Sequence, residues 1–309
     1  MSTPLSSDTG STAPLTPEGK GFSDISGGRK AVNTLATVLV WAAMLIALIP
    51  LAWVLWTVIS NGFGRLLTLS WWTEDQGTTP TFMPGGGALH AIVGTFMQTI
   101  VAALFSVPIG IFTAIYLVEY SRGGWLGRIT TFMVDILSGV PSIVAALFIY
   151  ALWISTLGFS RSGFAVTLSL ILMMIPIVVR NTEEMLRVVP MDLREASYAL
   201  GVPKWKTIYK IVLPTALSGI VTGVMLAIAR VMGESAPVLI LVGSTRTLNF
   251  DMFSGPQSSL PLMMLDMYKS GTTEPTLDKM WGAALTLVLI IAILNIAARV
   301  VSARYSVKS

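Results

Sequence analysis

Arg194-Glu195-Ala196-Ser197-Tyr198-Ala199-Leu200-Gly201 and, after nine further residues, Ile211-Val212-Leu213-Pro214 form the most informative stretch of this chain. Pro190 and Asp192, just ahead of it, suit the first turn of a helix. Gly201 suits its C-terminal stop, and Pro203 forbids immediate continuation. The helix between them is about ten residues long, with Leu193, Ala196 and Leu200 at i, i+3 and i+7 on one face. A helix so short is marginal alone in water, so it needs a surface to dock against.

On both sides of this segment the chain is strongly apolar. Over 309 residues the hydrophobic types make up 53% and the charged types only 12%, half the usual share in a soluble domain, which is about 25%. These values exclude a soluble enzyme, a DNA-binding module and a disordered adaptor, and predict an all-α integral membrane protein. Six stretches reach the length of about 20 residues that a bilayer demands: Val32–Ile59, Ala91–Val118, Ile129–Leu152, Phe164–Val179, Leu217–Val242 and Met280–Val301. Pro108, Gly139-Val140-Pro141 and Pro176 interrupt three of them, which a packed bundle tolerates because neighbouring helices re-satisfy the freed carbonyls. The first 28 residues differ: Ser, Thr, Gly and Pro account for 18 of them. Such a stretch buries too little apolar surface to repay ordering, so residues 1–30 are expected as a disordered tail and 31–305 as the six-helix domain. With the N-terminus in the cytoplasm, the loops and ends on that side hold 14 of the 20 Lys and Arg residues and the outer side holds 5. The positive-inside rule therefore places both termini, and the segment 181–214, in the cytoplasm. There is no cysteine and one histidine, His90, so neither a disulfide framework nor a thiolate or multi-histidine metal site is available.

The pattern Glu195-Ala196-Ser197, three residues, Gly201, nine residues, Ile211, one residue, Leu213-Pro214 resembles the EAA loop of ABC importer permeases, departing from it only in Ser197 for a second alanine. The resemblance implies a type I importer permease fold. It also makes Glu195, Ala196, Ser197, Gly201, Leu213 and Pro214 the segment that couples to an ATPase. An ordinary amphipathic loop helix is the plainer alternative.

Charges inside a membrane are costly and mark function by default. Arg230 lies about 20 Å into the fifth stretch at 1.5 Å per residue, and Glu234, four residues on, is expected on the same helical face. The strings Arg230-Val231-Met232-Gly233-Glu234-Ser235-Ala236-Pro237, Ile175-Pro176-Ile177-Val178-Val179-Arg180-Asn181-Thr182-Glu183-Glu184 and Asp135-Ile136-Leu137-Ser138-Gly139-Val140-Pro141 are similar to those of phosphate-specific permeases, and residues 30–305 as a whole to their PstA type. The chemistry agrees, since a guanidinium offers an oxyanion two parallel N–H donors. Arg230, Glu234 and Arg180 are the expected pathway residues. Glu234 would orient Arg230 or accept a hydrogen bond from protonated phosphate. The alternative is a structural Arg230–Glu234 ion pair and an Arg180 that snorkels to headgroups. Asp135 is expected to pair with a basic group of a neighbouring helix or subunit.

No G-x-x-x-x-G-K-[ST] loop is present, so the chain does not itself cradle nucleotide phosphates. No cofactor is expected in it; ATP and Mg would be used by a partner. The resemblance implies a second permease subunit (PstC type), an ATPase dimer (PstB type) and an external phosphate-binding protein (PstS type), assembled in the bacterial cytoplasmic (inner) membrane, with no nucleic acid involved. Within the superfamily the alternatives are the PstC-type sister and a permease for another oxyanion, sulfate or molybdate. An intramembrane enzyme built on Asp135 and Glu234 lacks a metal cluster and a nucleophile motif, and a scaffold has no use for a coupling loop.

Overall fold

The computed structural model describes residues 27–121 and 123–305. The tail expected over 1–30 therefore falls outside the described residues as far as 26, as do Arg122 and Lys308. The chain divides into two compact units, Met1–Val54 and Leu55–Ser309. In the first, the described residues belong to helix α1 (Gly27–Leu66), which starts inside the expected tail, contains Pro50 and continues into the second unit.

The second unit is helical wherever it is regular among the described residues. After α1 come a one-turn helix α2 (Leu69–Thr73), α3 (Leu89–Ile115), α4 (Trp125–Gly139), α5 (Ser142–Ile149), α6 (Gly163–Val188), α7 (Met191–Ala199), α8 (Lys204–Thr207), α9 (Leu213–Met232), α10 (Ala236–Leu241), α11 (Leu260–Ser270) and α12 (Glu274–Tyr305). Three π-helical turns extend them: Tyr116–Tyr120 after α3, Tyr150–Thr156 after α5 and Ile208–Val212 between α8 and α9. The last of these precedes Pro214, whose ring cannot donate to the carbonyl of Lys210 and crowds it, so a wider turn relieves the clash.

Among the described residues, five helical segments are long and apolar enough to cross a membrane: Gly28–Leu66, Leu89–Tyr120, Gly163–Val188, Lys204–Met232 and Glu274–Val300. The third expected span is instead two helices bent by 106° at Val140-Pro141, and gives a sixth crossing only if the bent pair is one span. The bend has a local cause. Pro141 drives Val140 to extended dihedrals, ψ 124°, because its ring disfavours the helical region in the preceding residue.

Helix α6 is the central span: 56% of its apolar window is buried, against 28% for α3, α9 and α12. Small residues let its neighbours approach. A Cβ at Gly110 of α3 would lie 2.6 Å from Val178 Cγ1, and one at Gly223 of α9 would lie 2.6 Å from Asn181 Cβ. Without a water-driven hydrophobic force between lipid-bathed helices, such close packing is what holds them. Around this axis the buried apolar residues form three groups. One at mid-bundle includes Leu170, Met174, Val178 and Ala227. A second includes Trp71, Met232, Met263 and Ala283. A third, with Ala114, Val134, Leu186, Val189, Val212 and Ile220, lies where α3, α4, α6 and the start of α9 meet.

Candidate functional site

The segment expected as a loop over 181–214 begins inside α6 and ends inside α9, and its middle is the helix α7. Pro190 stands at its N-cap with ψ 141°. Gly201 follows its end with φ +74°. The Gly201 N–H donates to Tyr198 O (2.9 Å) and the Val202 N–H to Ser197 O (3.2 Å). This paired pattern is a Schellman stop, and its left-handed residue is why glycine is needed there. The apolar residues Leu193 and Leu200 are exposed, Leu200 at 82%, and so are Glu195 and Ala196. The inner face is polar. Arg194 and Ser197 are buried, and Ser197 Oγ shares a hydrogen bond with Thr207 Oγ1 at 2.8 Å. Ser197 is thus an inward anchor rather than part of the exposed face, and Leu213 and Pro214 open α9.

Arg194 makes contacts of a kind a surface arginine does not. Its Nε and Nη2 donate to Glu119 Oε1 (3.1 and 2.9 Å) in the π turn that ends α3. Its Nη1 and Nη2 also donate to the carbonyls of Val189 (2.6 Å) and Leu186 (3.0 Å). Those carbonyls belong to the last turn of α6, which has no intrahelical donors left to satisfy them. Lys204 Nζ donates to the Glu119 carbonyl and stands 4.9 Å from the Tyr120 ring centroid. Sequence reading used Arg194 only as an orientation charge and passed over Glu119. The available signal was a lone carboxylate ending the apolar run Tyr116-Leu117-Val118.

A second charged group runs along α6. Arg180 pairs with Asp135 of α4 and with Glu183 (2.8 Å), and Glu183 pairs in turn with Arg187 (2.7 Å). A cavity of about 350 Å³ opens beside it, lined by Arg128, Asp135, Glu183 and Arg187 among others. Arg180 therefore has both ends of its guanidinium on carboxylates in this state.

Arg230 and Glu234 are arranged differently from the expectation of one continuous helical face. Helix α9 stops at Met232; the Gly233 and Glu234 N–H groups donate to Arg230 O and Val231 O, both at 3.2 Å, in a tightened last turn. Gly233 weakens the helix and Pro237 has no N–H for the Gly233 carbonyl, so the chain breaks and restarts as α10. Among the described residues neither Arg230, which is exposed, nor Glu234, which is half-buried, forms an ion pair or a side-chain hydrogen bond. The structural ion pair between them is not formed.

At the opposite end of the bundle, three groups tie the 67–88 segment to α12. Lys279, fully buried, donates to the carbonyls of Pro80 (3.2 Å), Thr81 (3.4 Å) and Met83 (2.8 Å). Arg65 donates to Gly85 O and Gly86 O (3.1 and 3.0 Å) and stands 3.5 Å from Asp278. Trp71 Nε1 donates to Thr286 Oγ1 at 2.9 Å. In the 243–259 segment, hydrogen bonds from the Ser254 hydroxyl (2.6 Å) and the Phe253 N–H (2.8 Å) hold the Asp251 carboxyl below the ordinary carboxylate range. Among the described residues no group of three or more His, Cys, Asp or Glu is placed to hold a metal ion.

The bundle thus carries, between two of its long apolar helices, a short helix whose apolar residues are exposed. Residues 106–307 match the family of binding-protein-dependent transport system inner membrane components, and the chain belongs to that family. It is 52% identical over 273 residues to the phosphate transport system permease protein PstA of Mycobacterium leprae, covering 88% of this chain and 89% of that one. It is also 52% identical over 274 residues to PstA 1 of Mycobacterium tuberculosis strain CDC 1551, again covering 88% and 89%. A solved bacterial ABC transporter that imports the acidic polysaccharide alginate shares the fold. Its TM-score is 0.62 at 15% identity, over 89% of this chain and 96% of that one.

Proposed function

We propose that this chain is a PstA-type permease subunit of an ATP-driven phosphate importer, multi-pass in the bacterial cytoplasmic (inner) membrane with both termini in the cytoplasm. The observation that carries the coupled-transport reading is α7. Its polar face is saturated inside the chain, while Leu193, Ala196 and Leu200 face outward. Phosphate as the substrate follows from the curated relatives at 52% identity.

In this reading the exposed face of α7, with Glu195 and Ala196 on it, docks on a PstB-type ATPase, where ATP and Mg are used; the permease contributes no nucleotide site. A PstC-type subunit completes the pathway and a PstS-type binding protein delivers phosphate from outside. Arg230, a cation with no carboxylate on it, offers two parallel N–H donors to the anion. Glu234, just past the helix end, accepts a hydrogen bond from the protonated phosphate oxygen that sulfate lacks. Arg180 is held by Asp135 and Glu183. It receives an anion only when a carboxylate lets go, and the returning carboxylate then drives release toward the cytoplasm.

The reading is tested in proteoliposomes holding the whole complex. Phosphate-loaded binding protein stimulates ATP hydrolysis and uptake, Glu195→Lys removes the ATPase, and sulfate-loaded protein does nothing. Stimulation by sulfate instead of phosphate would sink the substrate assignment, and a wild-type permease that binds no ATPase would sink the transporter reading.

A further inference from the structure

We propose that the buried Arg194–Glu119 pair is the joint that delivers movement of α7 to the second long helix of the bundle, making both of them positioning residues for transport. This rests on α7 being the ATPase-docking helix. The covalent connections of α7 are poorly suited to that task. It leaves α6 through the extended residues Val189 and Pro190 and enters α8 through Gly201 at φ +74°, so a pushed helix would pivot at both ends. What resists pivoting is lateral. Arg194 is 5% exposed and Glu119 6%, and one guanidinium joins α7, the last carbonyls of α6 and the end of α3.

Separating two charges buried this deeply leaves each uncompensated in a medium that solvates it poorly, so the pair moves as a unit. The fork geometry of arginine fixes direction as well as distance. Glu119 is 75 residues from Arg194 in the chain and belongs to neither helix adjoining α7, so the pair routes the stroke sideways. It arrives at a π-helical turn, where the ladder is already shifted and helix geometry is easiest to adjust. Lys204, donating to the Glu119 carbonyl from the other side of α7, closes the bracket. Beyond the joint, α3 is held against α6 at the Gly110–Val178 contact, so a displaced α3 takes α6, with Arg180, along with it.

The test is the number of phosphates moved per ATP hydrolysed in proteoliposomes of the complete complex. Glu119→Gln keeps size and a hydrogen-bond acceptor but removes the charge. It is expected to retain the ATPase and hydrolyse ATP while phosphate per ATP falls at least about fivefold, and Glu119→Asp, which keeps the charge, is expected to lose less. The chain has no cysteine of its own, so Glu119→Cys with Arg194→Cys, in cysteine-free partners, adds a covalent control. A short bis-methanethiosulfonate linker, which joins each thiol as a disulfide and releases methanesulfinate, restores phosphate per ATP, whether or not Glu119→Gln assembles. Wild-type stoichiometry in assembled Glu119→Gln, or a linked pair no better coupled than the unlinked one, overturns the joint. Failure of the wild-type chain to retain an ATPase overturns the reading of α7 itself, an outcome read from subunit retention and not from stoichiometry.

Discussion

The end of the bundle around the 67–88 segment and the end around α7 both rest on buried cations, yet they use them differently. Lys279 and Arg65 give their donors to backbone carbonyls of one segment and knit it to α12 with Trp71 beneath. At α7 the buried cation instead joins three helices, and the face turned away from it is apolar and exposed. One end uses its charges to close a surface; the other uses them to hold a surface open. Inward-saturated and outward-bare is what an element needs if it is to transmit force.

That contrast can be broken at several points. The largest effect is expected from Lys279→Met, which buries an unsatisfied Met83 carbonyl, while Thr81 O keeps the Thr276 hydroxyl and Pro80 O keeps the Met83 N–H. It lowers stability by about 2–3 kcal/mol, read as an earlier thermal transition in detergent, while ATPase retention stays at the wild-type level. If retention fell with it, the two ends would not be independent. Next is Arg230→Gln. Removing one charge-assisted partner is worth about 1.5–3 kcal/mol, so phosphate uptake falls at least about tenfold while ATP hydrolysis continues. Uptake at the wild-type rate would remove Arg230 from the pathway. Leu200→Asp sharpens the comparison from the other side. At a site 82% exposed, stability should stay within about 0.5 kcal/mol, while affinity for the ATPase subunit drops about tenfold in a pull-down titration. The smallest effect is expected from Ser197→Ala, which deletes one buried hydrogen bond to Thr207. It costs about 1 kcal/mol, seen as a shift in melting with phosphate per ATP unchanged, in contrast to Glu119→Gln.

Much of this architecture was legible from residue order alone, and the reason lies in which forces are local. Apolar length marks α3, α6 and α12 because crossing a bilayer is a demand on each segment separately. The stop of α7 was legible because Gly201 and Pro203 act within one turn. The break after Met232 was not. Hydropathy continues through to Leu241, and the decisive Gly233 and Pro237 were outweighed by it, so Glu234 was placed on a helical face that ends before reaching it. The 106° bend at Pro141 was foreseeable as an interruption but not as an angle, since a proline dictates only that the residue before it leaves the helical region. The charged partnerships depend wholly on the fold. Asp135 meets Arg180 across 45 residues and Glu119 meets Arg194 across 75, and no periodicity links either pair.

The Schellman stop at Gly201 and the Arg194 contacts together mean that α7 is already folded before anything binds to it. Association with its partner is then a rigid-body fit with little ordering entropy left to lose. The recognition step should accordingly be fast and weakly temperature-dependent, and the permease should be ready for its motor as soon as it leaves the membrane-insertion machinery.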